Sequence, residues 1–154
     1  MTEITIEDAT RADTADLLAM IAALTAHHGD ASQATEDTLE RDLFGPRPIF
    51  QALIAKAEGR AVGYAAMARR AMLHQSRRGM DLHHLYVAPE RRGSGLGRRL
   101  IETVVRRAEA EGYDYITVSA DKANTGAQNT YLACGFALRE TDGVSFRMEL
   151  PREG

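Results

Sequence analysis

From Thr2 to Glu7 polar and apolar residues alternate, the period-two signature of a half-buried strand. Asp13 or Thr14 then caps a helix whose apolar face is Leu17, Leu18, Ile21 and Leu24, closed by the loop His27 to Ala34. Thr35 is placed to cap a second short helix, with Glu36 and Asp37 where the helix dipole favours anions, and Gly45-Pro46 ends it. Phe50 to Ala57 and Ala61 to Arg70 flank the turn Glu58-Gly59-Arg60 and predict a hairpin, and Met80 to Val87 is the next strand. Between Gly95 and Glu111 the apolar residues Leu96, Leu100, Ile101, Val104, Val105 and Ala108 recur at helical spacing, with charged residues between them and Gly112 at the end. Tyr115 to Ser119 predicts a strand, Asn124 to Cys134 a helix closed by Gly135, and Ser145 to Leu150 an alternating terminal strand. The expected order, β-α-α-β-β-β-α-β-α-β-β, describes one α+β domain over residues 1–154 with a mostly antiparallel sheet.

Composition agrees with one core. The 154 residues are 44% hydrophobic and 27% charged, without tryptophan, and the longest apolar run, Leu17 to Leu24, is far short of the ~20 residues that span a bilayer. Glu3, Glu7 and Asp8 stand where a secretory signal would be basic, so no membrane partner is expected. The single Cys134 excludes a disulfide framework and a thiolate zinc site, and makes a reducing cytoplasm the default setting. A formal charge of −3 argues against a sequence-independent grip on nucleic acid. That charge is unevenly spread: residues 91–107 hold six Arg and one Glu, whereas residues 1–50 hold ten acids and three Arg.

The chemistry concentrates at Arg91-Arg92-Gly93-Ser94-Gly95-Leu96-Gly97-Arg98, between a strand and a strongly periodic helix. Closely spaced glycines let backbone turn tightly against an anion, and the first N–H groups of the helix point at it. A dinucleotide fold does not suit the hairpin-rich context, in which Asp114 precedes the following strand where the ribose-binding acid should end it. A P-loop fails because no Lys-Ser or Lys-Thr follows the glycines.

The stretch Leu85-Tyr86-Val87-Ala88-Pro89-Glu90-Arg91-Arg92-Gly93-Ser94-Gly95-Leu96-Gly97 resembles motif A of the GNAT superfamily of acyl-CoA-dependent N-acyltransferases, and Asn124, Ala127, Tyr131 and Gly135-Phe136 resemble its second motif. The resemblance implies the GNAT fold, a mixed sheet with helices on both faces. It also implies that the backbone of Leu85, Tyr86 and Val87 pairs with the pantetheine arm of acetyl-CoA beside a bulge. Residues Arg92, Gly93, Ser94, Gly95, Leu96, Gly97 and Arg98 would hold the pyrophosphate, and Asn124 and Ala127 would line the thiol end. Tyr131 matches a general acid that protonates the departing thiolate; a phenol keeps its proton at neutral pH, its ordinary pKa being ~10. Asp16 to Gly63 is most similar to the diamine and polyamine acetyltransferases, though His83-His84 stands where that branch carries an acidic pair. A homodimer is a further expectation from the resemblance.

An ammonium has no lone pair, so an amine acceptor requires a base, directly or through water. Strand periodicity puts Asp81, His83 and Leu85 on one face and Leu82, His84 and Tyr86 on the other, so the two histidines are not expected to face one site. An imidazole, with an ordinary pKa of about 6.5, is suited to the task. His83 is the expected base or water-positioner, with Asp81 orienting it or meeting the amine. His27, His28, Asp30 and Glu36 are candidate acceptor contacts, Cys134 is expected to be an inert core residue, and no metal site is expected. The expected function is acetyl transfer from acetyl-CoA to a primary amine of a small molecule by direct attack on the thioester. The alternatives are an acyl-CoA sensor or adaptor without turnover, and a protein or peptide acetyltransferase.

Overall fold

The structure, a computed structural model, describes residues 3–151. Five strands form one sheet in the order β1-β2-β3-β4-β5: β1 Ile4–Asp8, β2 Phe50–Ala57, β3 Arg60–Met72, β4 Arg77–Val87 and β5 Tyr115–Val118. Neighbours run antiparallel except β4 and β5, which are parallel. The helices are α1 Thr14–His27, α2 Glu36–Leu39, α3 Leu96–Ala110 and α4 Thr125–Ala133, and α2 continues into a π-helical turn over Glu40–Phe44. The first predicted strand begins at Thr2, which lies outside the described residues; β1 itself runs from Ile4, leaving out Glu3, and ends one residue later than expected, at Asp8.

β2 and β3 are nearly continuous apolar runs because both faces of the sheet are covered. A side chain at Gly63 would meet Leu96 and Leu100 of α3, whereas its neighbour Tyr64 points to the opposite face, toward His84 and Tyr86 beneath α1. Of the predicted α3 stripe, Leu96, Leu100, Ile101, Val104 and Ala108 are buried and Val105, at its margin, is half-buried. Leu17 and Met20 of α1 close the other side. Asp13 caps differently from expectation. Its carboxylate accepts from Thr10 N–H at 2.8 Å and pairs with Lys56 Nζ at 2.8 Å, tying the start of α1 to β2, while α1 itself receives no side-chain cap. At the second helix Thr35 does cap, its Oγ1 accepting from Thr38 N–H at 3.1 Å.

The fold departs from expectation after α4. Two strands were expected there, including Ser145–Leu150, yet residues 137–151 carry no helix or strand and all of 137–150 are exposed. Alternation supplies a tendency to extend, but a strand exists only when another edge satisfies its backbone groups, and among the described residues this segment has no such neighbour.

Candidate active site

The site begins where β4 parts from β5. The two strands pair only from Gly79 to Leu82 on the β4 side and from Tyr115 to Val118 on the β5 side. Beyond that point His83 to Val87 keeps β3 on one flank and faces an open wedge on the other. The ladder to β3 slips at the same place, jumping from Ala66↔His84 to Met67↔Leu82, so that His83 has no partner. Such a bulge re-aims side chains and interrupts alternation. Consequently His83 and His84 lie together, their rings stacked 4.4 Å apart at 14°, and both line a cavity of about 690 Å³. Strand periodicity had separated them; the extra residue of the bulge brings them to one site.

That cavity is walled by the end of α1 (Leu24, Thr25, His27), His28 and Asp30 of its loop, by Leu85, Tyr86 and Val87 of β4, by Ser119 to Asp121 after β5, and by Asn124, Ala127, Thr130 and Tyr131 of α4. Four of the five histidines therefore converge on it. His83 is exposed and stacks on Phe50 at 5.1 Å as well as on His84. His84 is half-buried, and its Nδ1 lies 3.0 Å from the hydroxyl of the buried Tyr64. Burial first, then the neighbouring His83 and His28, push its pKa down to about 4, so it stands neutral at physiological pH. Burial also raises the Tyr64 phenol, which keeps that hydroxyl protonated. Sequence reading missed the Tyr64–His84 contact, since no local spacing signals a bond between positions twenty apart.

A second groove, of about 360 Å³, joins the wedge at Val87, Arg92 and Gly97 and is lined by Arg91, Arg92, Gly93, Gly95, Leu96, Gly97 and Arg98 with Thr130, Ala133 and Cys134. Gly93 and Gly95 take φ of +80° and +86°, left-handed turns that turn the chain into α3. The N–H groups of Leu96, Gly97 and Arg98 have no acceptor within the helix they begin. A turn without Cβ atoms, free amides and three guanidinium groups together fit a pyrophosphate. Arg92 Nε donates to Val87 O at 3.0 Å and its guanidinium lies 5.9 Å from the Tyr86 ring, and Arg98 Nε reaches Glu102 at 3.2 Å. Ser94 turns its hydroxyl to Arg91 O.

On the opposite wall Asn124 begins α4, its Oδ1 accepting from Ala127 N–H at 3.0 Å. Tyr131 stands two turns further on, half-buried, 6.0 Å from Phe136 edge to face, with its phenol pKa raised by burial. Among the described residues its hydroxyl bonds to no protein group, and it shares the cavity with the histidines. Asp81 is not brought there. Its Oδ1 accepts from Thr117 Oγ1 at 2.6 Å and lies 3.9 Å from Arg70, at the β4–β5 seam. Glu36 is absent from the lining, whereas Ser119 to Asp121 were not foreseen; their position at the open end of a strand beside the wedge is the signal that would have found them.

Comparison with known proteins agrees with this geometry. The sequence pattern of the Acetyltransferase (GNAT) family matches residues 17–136. Mycothiol acetyltransferase of Streptomyces avermitilis is 30% identical over 141 residues, 89% of this chain and 43% of that enzyme, so the chain spans under half of that relative's length. Thialysine N-epsilon-acetyltransferase of Sus scrofa is 29% identical over 161 residues, covering 97% of this chain and 94% of the relative. Among solved structures, an aminoglycoside N-acetyltransferase in complex with CoA superposes with a TM-score of 0.76 at 22% identity, over 97% of this chain and 96% of that one. With the parted strands, the glycine turn and a family match over most of its length, the chain belongs to the acetyltransferase (GNAT) family.

Proposed function

We propose that the protein is an acetyl-CoA-dependent N-acetyltransferase acting on a primary amine of a small cationic molecule. The observation that carries this reading is the junction of two cavities at Val87, Arg92 and Gly97, one with the chemistry of a pyrophosphate cradle and one rich in imidazoles. The substrate thioester supplies an activated acetyl carbonyl. Arg92, Arg98 and the amides that open α3 hold the diphosphate, and the unpaired edge of Leu85 to Val87 accepts the pantetheine arm as an added strand. Asp30 and Asp121 on the cavity wall favour a cationic acceptor. A relative named thialysine N-epsilon-acetyltransferase supports an amine acceptor.

His83, the more exposed of the stacked pair, takes the ammonium proton, directly or through a held water. His84, neutral and bonded to Tyr64, positions that water. As the C–N bond forms and the C–S bond breaks, Tyr131 gives its proton to the sulfur, and the second proton that the nitrogen sheds on becoming an amide returns through water to the Tyr131 phenolate. Asp81 takes no part, because Thr117 and Arg70 hold its carboxylate at the seam. The lone Cys134 suits a reducing, cytoplasmic setting.

A screen of amines that follows free CoA tests the reading. We expect turnover with lysine-like or diamine-like acceptors, and a roughly 10- to 100-fold lower kcat for H83Q and for Y131F with acetyl-CoA affinity unchanged. Thermal stabilisation by acetyl-CoA with no thiol release from any amine would reject it in favour of a binding module.

A further inference from the structure

His83 lacks the usual means by which a strand residue is held in place. It is the extra residue of the β4 bulge, without a ladder partner on β3, and the pairing with β5 ends one residue before it, at Leu82. Its side chain is exposed, and among the described residues the imidazole is held by ring contacts and not by a hydrogen bond. Such a side chain, left to itself, visits three staggered χ1 wells. Here two rings lie nearly parallel to it, His84 at 4.4 Å and 14° and Phe50 at 5.1 Å and 24°.

Phe50 reaches it from two strands away. It opens β2 opposite Ala68 of β3, while Ala66, two residues earlier on β3, lies opposite His84 of β4. Residues opposite each other share a face, as do residues two apart on one strand, so Phe50, Ala68, Ala66 and His84 project from the same side of the sheet. β2 and β4 are roughly 9–10 Å apart across β3, twice the interstrand spacing. A ring crosses that gap only where the strand between carries small side chains, and β3 supplies alanine at both positions. Phe50 is half-buried and stands outside the cavity lining, so its contact is with the imidazole and not with the acceptor. We propose that Phe50 is a positioning residue, whose ring, stacked on His83, holds the imidazole in the χ1 well that aims it into the acceptor cavity. The proposal rests on the reading of His83 as the base and extends it to a residue outside the site.

Kinetics by release of free CoA, with lysine or ethylenediamine as acceptor, and NMR of the intact chain decide it. Leucine at position 50 keeps apolar bulk without a flat face, whereas tyrosine keeps the ring. F50L is expected to lower kcat about 3- to 10-fold, threefold being the loss when three wells are visited instead of one, with acetyl-CoA affinity and the acceptor KM within about twofold of the parent. F50Y is expected to keep the parent's kcat. An unchanged kcat in F50L, or equal losses in the two variants, would overturn the proposal, because a residue that only fills space is replaced by leucine as well as by tyrosine. The double variant H83Q/F50L is expected to turn over like H83Q, and a further loss as large as that of F50L alone counts against the proposal. Three-bond couplings of the His83 side chain are expected to report one χ1 rotamer in the parent and in F50Y and averaging in F50L; averaging in the parent, or one rotamer in F50L, overturns it. If H83Q keeps the parent's kcat, or neither amine turns over, the reading of His83 as the base fails, and the couplings alone decide whether Phe50 holds the ring. If F50L does not fold, averaging in the parent or in F50Y overturns the proposal and one rotamer in both supports it.

Discussion

His84 shows how much one side chain can draw from its neighbours. Held against Tyr64 and beside His83 and His28, it titrates at about 4 when folded, below the ordinary value of about 6.5. Between those two values the unfolded chain binds more protons than the folded one. The contribution of His84 to stability is therefore complete above about pH 6.5 and is lost as the pH falls toward 4. We expect H84Q, which stays neutral and can still meet Tyr64, to flatten the fall in urea-measured stability between pH 7 and pH 4.5 by about 1–2 kcal/mol, the figure being reduced for the partial exposure of the ring. A slope equal to that of the parent would remove His84 as its cause. Asp13 shows the same direction of pH dependence from a different cause, since here it is the charged form that the fold favours. Burial raises its pKa, but the bonds from Lys56 and Thr10 outweigh this and lower it, so that its contribution is present above the ordinary carboxylate range and lost in stronger acid.

At the scale of elements, the turn into α3 and the bulge in β4 act differently. The turn is legible in the sequence, because Gly93 and Gly95 sit where a left-handed backbone is needed and the apolar stripe of α3 starts directly after them. A G95A variant has to hold alanine at φ +86°, at a cost of roughly 1–2 kcal/mol, and moves the amides it presents. We expect about tenfold weaker acetyl-CoA binding by calorimetry, with a small loss in Tm. The bulge is implied by the motif resemblance, but alternation along the strand does not show which residue it frees. His83 and His84 follow one another in a strand of regular alternation, and only the ladder register, jumping between Ala66 and Met67, shows that one of them is unpaired. Bulges arise from competition between two strands for register, and neither strand alone contains that information.

For the whole molecule, the uneven charge resolves into two uses. Of the arginines between 91 and 107, Arg91, Arg92 and Arg98 line the groove, whereas Arg107 pairs with Asp8 and Arg99 donates to Ile4 O at 3.2 Å, binding α3 to the acidic first strand. R92A is therefore expected to weaken acetyl-CoA by about 10- to 50-fold and R107A to leave that affinity within about twofold, because one ion pair on the β1 side contributes ~0–1 kcal/mol to stability and touches no ligand. Equal effects of the two in calorimetry would show a diffuse field instead of a built cradle. The charges alone could not make this division, since it depends on which side of α3 faces β1.

Periodicity and turn residues were enough to specify nine elements in order and the glycine turn, because each depends on contacts within a few positions of chain, while the family resemblance implied Asn124, Ala127 and Tyr131 at the cavity but not Thr130. The stacking of His83 on His84, the bond from Tyr64, the withdrawal of Asp81 to Thr117 and the absence of a partner for residues 144–150 were settled only by tertiary structure. Each of these depends on which strand edge lies beside which. Pairing joins residues tens of positions apart through backbone groups that every sequence shares, so side-chain pattern can propose a strand but cannot name its neighbour.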